Sequence, residues 1–68
     1  MSDVYKKIEV VGTSEKSFDD AVQNAIAKVA ETVKAIAWFE VVEQRGRVEG
    51  NKVAQFQVVL KVAFKVID

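Results

Sequence analysis

A long run of alternating residues near the end of the sequence places the strongest constraint on the fold. From Val53 to Ile67 apolar residues recur at every second position, and most residues between them are polar. This period of two is typical of a β-strand, because successive side chains on a strand point to opposite sides. The sequence therefore predicts a long strand from Val53 to Ile67, with one apolar face formed by Phe56, Val58, Leu60, Val62, Phe64 and Val66.

The predicted strand is longer than a compact domain of this size. At about 3.3 Å per residue it extends roughly 50 Å, whereas a compact chain of 68 residues has a diameter of about 28 Å. We therefore expect the strand to curl around its packing partner, to extend into a neighbouring subunit, or both. Gly46, in the preceding strand, is a candidate position for a bend.

One amphipathic helix is predicted upstream of this strand. It should begin at Phe18, because Ser17 can cap its first turn and the acidic Asp19 and Asp20 follow where the helix dipole favours negative charge. Apolar residues then recur at spacings of three and four as far as about Ile36, which draws one apolar stripe along a helix. We expect this stripe to pack on the apolar face of the long strand; it consists of Phe18, Val22, Ala25, Ile26, Val29, Val33 and Ile36.

Two further strands complete the predicted fold. Val4 to Val11 alternates as a first strand and ends at a turn from Gly12 to Ser14, while Val41 to Val48 forms a second strand, joined to the long one by a hairpin turn at Glu49 to Lys52. The prediction is an α+β fold of β-α-β-β order, in which a three-stranded antiparallel sheet wraps around one helix as a single domain over residues 1–68. The most apolar strand should lie in the middle, and the two open edges favour pairing with other subunits.

The composition excludes several kinds of site. The chain has no Cys and no His, so disulfides, the usual zinc ligand sets and an imidazole base are ruled out. Its 10 basic and 10 acidic residues give zero net charge, which argues against a nucleic-acid or membrane-surface partner. No apolar run approaches the roughly 20 residues of a membrane span. We expect a cytoplasmic protein that is not an enzyme and that gains stability by self-association, because so short a chain buries a small core.

The pattern alone leaves the roles of two residues open. Trp38 stands where helix gives way to strand, so it is either a plug in a core or interface, or the floor of a binding site. Gln57 should lie on the sheet face turned away from the helix, opposite residue 44 or so and at some distance from Trp38. A joint site of Trp38 and Gln57 is therefore easier to build between subunits than within one. Without such a site, Gln57, Arg45 and Arg47 are solvated residues. With a site at the interface, Trp38 faces a symmetry mate, and Phe39 and Val41 face the helix as core.

Four segments of the chain resemble the dodecins, a family of small flavin-binding proteins. These segments are Val4–Ser14, Trp38–Val41, Arg45–Gly46 and Phe56–Phe64, and the resemblance covers nearly the whole chain. It implies a β-α-β-β subunit assembled into a hollow homododecamer. It also implies that flavins, which are FMN, riboflavin or a related compound, bind in pairs at subunit interfaces, stacked between Trp side chains related by a two-fold axis.

The same resemblance implies roles for individual residues. Trp38 would stack on the flavin, Gln57 would hydrogen-bond its pyrimidine edge, and Arg45 would contact the ribityl-phosphate end. Bacterial members of the family also bind coenzyme A through basic residues, for which the candidates are Lys6, Lys28 and Lys65. The implied function is non-enzymatic storage and photoprotective sequestration of FMN. Two alternatives stay open: an assembly that binds no flavin, with a structural or coenzyme A-binding role, and an enzyme that uses flavin as a cofactor.

Overall fold

The long strand occupies the centre of the sheet. The computed structural model describes residues 2–67, and the elements in chain order are β1 (Tyr5–Ser14), α1 (Phe18–Val29), β2 (Ile36–Glu49) and β3 (Lys52–Lys65). The strand order is β1-β3-β2, and both pairings are antiparallel. The predicted β-α-β-β fold with its most apolar strand in the middle is therefore confirmed.

The core lies between α1 and the part of the sheet formed by β1 and β3. Val58, Leu60 and Val62 of β3 are fully buried, and they meet the buried Ala21 and Ala25 of α1. The predicted apolar strand face and helix stripe thus pack on each other. Around this centre lie partly buried residues from β1, α1 and β2, namely Ile8, Val10, Phe18, Val22, Ile26, Val29 and Ile36.

The helix is shorter than its apolar spacing predicts. It ends at Val29, not at about Ile36, and a tight turn follows in which the Thr32 N–H donates to the Val29 carbonyl. Ala35 then takes a positive φ of 62°, and the chain enters β2 at Ile36. Ile36 packs against the core from the strand. The apolar spacing therefore continues although the backbone has changed from helix to strand.

β1 continues through the segment from Gly12 to Ser14, where the sequence predicts a turn, because these residues pair with β3. Gly12 is required by the helix that lies over it. A Cβ at this position would overlap the carbonyl oxygen of Ala21 and would lie 2.8 Å from the Cβ of Ala25. The glycine thus permits close approach of strand and helix rather than a chain reversal.

The other strand boundaries also differ from the prediction. β2 begins at Ile36 rather than Val41, and β3 ends at Lys65 rather than Ile67. Three register shifts interrupt the β2–β3 pairing, but Gly46 lies at none of them and continues the regular ladder. The irregularities in the β2–β3 pairing therefore do not occur at Gly46, the position predicted for a bend.

The β2–β3 hairpin extends far beyond the helix. α1 has 12 residues and is about 18 Å long, whereas the molecule measures 54 × 20 × 13 Å. The radius of gyration is 14.0 Å, compared with about 11 Å for a compact domain of this length. The hairpin closes at Gly50 and Asn51, whose φ values of 57° and 62° suit the predicted two-residue turn. The elongated shape agrees with the expectation that the long strand exceeds one compact unit.

The helix leaves β2 largely uncovered, because it packs against β1 and β3. Phe39 and Val41 lie opposite Val62 and Leu60 and so share the sheet face on which the helix lies. Each is nevertheless 45% exposed. The prediction that these two residues are core is therefore wrong for the single chain. They border an open groove of about 510 Å³, whose apolar lining also includes Phe18, Val22 and Ile26.

Candidate ligand-binding site

The face of the sheet turned away from α1 carries the three residues predicted to bind flavin. Trp38 lies opposite Ala63, and Arg45 lies opposite Gln57. Directly opposed residues share a face, and so do alternate residues of one strand. Trp38, Arg45 and Gln57 therefore all lie on this outer face.

Trp38 is a half-exposed indole that is held at its nitrogen. Its side chain is 42% exposed, and its Nε1 donates a hydrogen bond to Oε2 of Glu40 at 2.9 Å. Tyr5 of β1 packs against it, with ring centroids 4.9 Å apart and ring planes inclined by 56°. Ala63, directly across the pairing, is fully buried. The indole thus projects from a strand with part of its surface accessible and its N–H already paired.

Glu40 connects Trp38 to the first strand. The Nζ of Lys7 donates to both carboxylate oxygens of Glu40, at 3.2 and 3.1 Å. The hydrogen bond from Trp38 and then that from Lys7 lower the pKa of Glu40, and the charge of Lys61, its cross-strand neighbour, acts in the same direction. Hydrogen bonds and positive charges favour the ionised carboxylate, so Glu40 is charged at neutral pH.

The amide of Gln57 is engaged at both of its polar atoms. Nε of Arg45 donates to its Oε1 at 2.7 Å, and its own Nε2 donates to Oε1 of Gln55 at 2.8 Å. On the far side, Nη1 of Arg45 lies 3.4 Å from Oε1 of Glu43. We call Arg45, Gln55 and Gln57 the amide cluster. Sequence reasoning had not selected Gln55 or Glu40, although each stands two positions from a selected residue on the same strand and face.

The structure brings Arg45 and Gln57 together but keeps Trp38 apart from them. Arg45 lies opposite Gln57 and Trp38 lies opposite Ala63, so the two are six residues apart along β3. Six residues of a strand extend roughly 20 Å at about 3.3 Å per residue. Gln57 lies opposite Arg45 rather than residue 44, because the pairing shifts register between Arg47 and Val48. Within one chain, the indole and the amide cluster are therefore too far apart to line one small pocket.

Two of the three lysines predicted to contact coenzyme A share a depression. Lys6 and Lys65 line a hollow of about 350 Å³, together with Lys34. Lys28 lies elsewhere, on α1, with its Nζ 3.5 Å from Oε1 of Glu31. Lys34 was missed by sequence reasoning, because it reaches this hollow only after the helix has ended and the chain has turned towards β2.

Other polar residues singled out in the sequence have structural partners. Oγ of Ser17 accepts from the N–H of Asp20 at 3.0 Å and caps the helix as predicted. Ser14 Oγ donates to Oδ2 of Asp20 at 2.6 Å, which adds a second contact to the same turn. Arg47 donates to Glu49 on its own strand.

Within residues 2–67, no three His, Cys, Asp or Glu side chains are grouped so that they could hold a metal ion. The helix found in this part of the chain is also too short and too polar to cross a membrane.

Comparisons with known proteins agree with one another. The family model described as Dodecin matches residues 4–67. A protein named Dodecin from Thermus thermophilus is 46% identical over 65 residues, which cover 96% of this chain and 94% of that protein. The structure of dodecin from Streptomyces coelicolor superposes with a TM-score of 0.94 at 41% identity, covering 97% of this chain and 94% of the other. The calcium dodecin of Mycobacterium tuberculosis, described with a novel calcium-binding site, superposes with a TM-score of 0.82 at 32% identity, covering 94% and 91% of the two chains.

Proposed function

This chain belongs to the dodecin family, and we propose that it binds FMN without turnover, storing the flavin and shielding it from light. In this proposal the subunits form a hollow homododecamer, and flavins stack in pairs between Trp38 side chains related by a two-fold axis. The main support is Trp38 itself, a half-exposed indole on the outer face of the sheet whose N–H is paired with Glu40. A tethered ring of this kind is suited to stacking on a flat ligand.

The physical chemistry of an indole suits this role. Offset stacking of aromatic rings contributes about 0.5–1.5 kcal/mol beyond the burial of area, and a two-fold interface repeats every contact. Because Glu40 already accepts the indole N–H, the flavin need not provide a partner for it. Stacked flavins covered by indoles leave little room for a second substrate, which favours storage over catalysis. Close contact with Trp38 also supplies a quencher for the light-excited flavin.

The amide cluster is assigned to the polar parts of the ligand. A Gln amide can accept and donate at once, so Gln57 suits the pyrimidine edge of the isoalloxazine. The planar guanidinium of Arg45 suits the phosphate end. The roughly 20 Å between Trp38 and Gln57 along one chain favours a site to which two subunits contribute.

The surface of the single chain supports the proposed self-association. Its accessible area is 5082 Å², whereas a folded monomer of 7.6 kDa exposes about 4,300 Å². The hairpin carries large apolar side chains that are 45% to 65% exposed, including Phe39, Val41, Val42, Val48 and Val53. Apolar patches of this kind mark interaction surfaces.

Titration of FMN into the wild type and into Trp38→Ala tests the flavin proposal. We expect the wild type to quench FMN fluorescence and Trp38→Ala to bind at least about tenfold more weakly, because the stacking surface is lost. Lys52→Glu is the control, since Lys52 lies at the hairpin turn, at the opposite end of the β2–β3 pairing from Trp38. Unchanged affinity in Trp38→Ala would remove Trp38 from the site. A wild type that quenches no flavin would favour the flavin-free assembly.

A second ligand, coenzyme A, is favoured by the hollow that Lys6, Lys34 and Lys65 share. Three ammonium groups around one depression suit the phosphates of such a molecule. Titration of coenzyme A into the wild type and Trp38→Ala distinguishes a coenzyme A site at the lysines from a flavin site at Trp38. The affinity for coenzyme A would be unchanged in Trp38→Ala, whereas the affinity for FMN would fall.

A further inference from the structure

We infer that Gln55 is a positioning residue that holds the amide of Gln57 in one orientation and so makes the site selective for a ligand with a free imide edge. The identity of the ligand rests on the proposed function. The positioning itself is a property of the protein without ligand, and it can be measured there.

The orientation of the Gln57 amide follows from the chemistry of its neighbour. A guanidinium only donates hydrogen bonds, so the atom that lies 2.7 Å from Nε of Arg45 must be the amide oxygen. The other end of the amide is then the nitrogen, and it points to Oε1 of Gln55 at 2.8 Å. A rotation of the amide by half a turn would place two donors against each other at Arg45. Gln55 stabilises the observed orientation of the amide by accepting a hydrogen bond from its nitrogen.

These two contacts leave part of the hydrogen-bonding capacity of the Gln57 amide unused. Its oxygen can accept two hydrogen bonds and its nitrogen can donate two, and one of each is used within the amide cluster. One acceptor position and one donor hydrogen remain. A cyclic imide presents an N–H beside a carbonyl, which is the complementary pair. A ligand whose imide nitrogen carries a methyl group can fill only half of this pattern, and it leaves a polar atom of Gln57 unsatisfied.

The surroundings of Gln55 keep its oxygen available for this task. Gln55 and Gln57 stand two positions apart on β3, so their side chains emerge on the same face. The residue opposite Gln55 is Arg47, which would compete for the Gln55 oxygen but is engaged by Glu49 instead. Glu43 holds Arg45 in the same manner on the other side. The amide is therefore fixed by a chain of contacts that involves both strands of the hairpin.

The first test compares FMN with FMN methylated at the imide nitrogen, in Gln55→Leu, Gln55→Glu and the wild type. Gln55→Leu removes the acceptor at similar size, and we expect FMN binding to weaken roughly 2- to 10-fold and the preference for FMN over its methylated form to fall. Gln55→Glu keeps an acceptor and should restore the preference. Gln44→Leu is the control, since Gln44 lies on the other sheet face, opposite Val58. An unchanged preference in Gln55→Leu would overturn the selectivity.

The second test needs no ligand. Glutamine labelled with ¹⁵N gives side-chain signals from the four Gln residues, and Gln57→Leu identifies the signal of Gln57. We expect the Gln57 amide hydrogens to exchange slowly with water in the wild type and faster in Gln55→Leu. Equal exchange rates would overturn the positioning role. If the wild type binds no FMN but the exchange rates differ, the proposed function fails while the positioning role stands.

Discussion

Glu40 is the residue on which the orientation of Trp38 depends most directly. Its carboxylate accepts from the indole and from Lys7, and Lys61 is its partner across the β2–β3 pairing. The carboxylate is solvent-exposed, so its interaction with Lys7 is screened by water. Its importance lies in fixing the direction in which the indole points.

Because protonation of Glu40 changes its contact with Trp38, we expect the environment of Trp38 to depend on pH only under acidic conditions. The pKa of Glu40 is lowered in the folded protein, so its stabilising contacts are complete above the ordinary pKa of about 4.3 and are lost as the pH falls through the lower folded value. Near-ultraviolet circular dichroism of the single Trp should therefore stay constant from pH 7 to about 5 and change below about 4.

Two variants identify the group responsible for this acid transition. Glu40→Gln can still accept from the indole but carries no charge to lose, so its Trp signal should show no such transition. Glu43→Gln removes a carboxylate from the same strand that pairs with Arg45 rather than with Trp38, and it should behave as the wild type does. A transition of full size in Glu40→Gln would assign it to another group.

Single residues of the site were more predictable than their contacts. Trp38, Gln57 and Arg45 were selected from the sequence, although their binding roles stay predictions. Glu40 and Gln55 were not selected, because a charged residue and an amide in a row of polar strand positions are typical of a solvated face. Their partners depend on strand register, and a slip of one residue would turn every side chain to the other face.

At the scale of elements, the packing of α1 on β1 depends on small residues. Gly12 lies beneath Ala21 and Ala25, which are 0% and 6% exposed. These three residues let the two backbones approach each other closely. The stability of the subunit should therefore be sensitive to any added atom at this crossing.

Gly12→Ala should destabilise the fold by about 1–3 kcal/mol, because the added methyl group overpacks a close crossing. Urea unfolding, followed by far-ultraviolet circular dichroism, measures this change. Gly50→Asn is the control: no atom lies within 4 Å of a Cβ there, and Asn tolerates a φ of 57°, so we expect a change within about 0.5 kcal/mol. Equal stability of Gly12→Ala and the wild type would show that α1 can shift away.

The order and type of the elements could be predicted from the sequence, whereas the end of the helix could not. Alternation along β3 and the stripe on α1 are strong patterns, because one face of each element is buried. The helix boundary lacks a comparable signal. Apolar spacing continues to Ile36, no Gly or Pro interrupts it, and the left-handed conformation of Ala35 is one that Ala rarely adopts.

At the scale of the whole molecule, the uncovered face of β2 should be an interface. We expect sedimentation of the wild type to give a mass of about twelve times 7.6 kDa. Val41→Lys places a charge on the exposed apolar surface beside the groove and should shift the protein to smaller species, because burying an unpaired charge is costly. Lys52→Glu, at the hairpin turn, should keep the wild-type mass. A stable wild-type monomer would contradict the assembly.

The central place of β3 also governs the order in which a newly made chain can fold. β1 pairs with β3 from Tyr5 and Lys65 onwards, and β2 pairs only with β3 among the described residues. Both outer strands therefore leave the ribosome before the strand that they need. α1 likewise emerges before Val58, Leu60 and Val62, against which it packs. The nascent chain thus holds no sheet until β3 emerges, and subunits become competent to assemble only after that point.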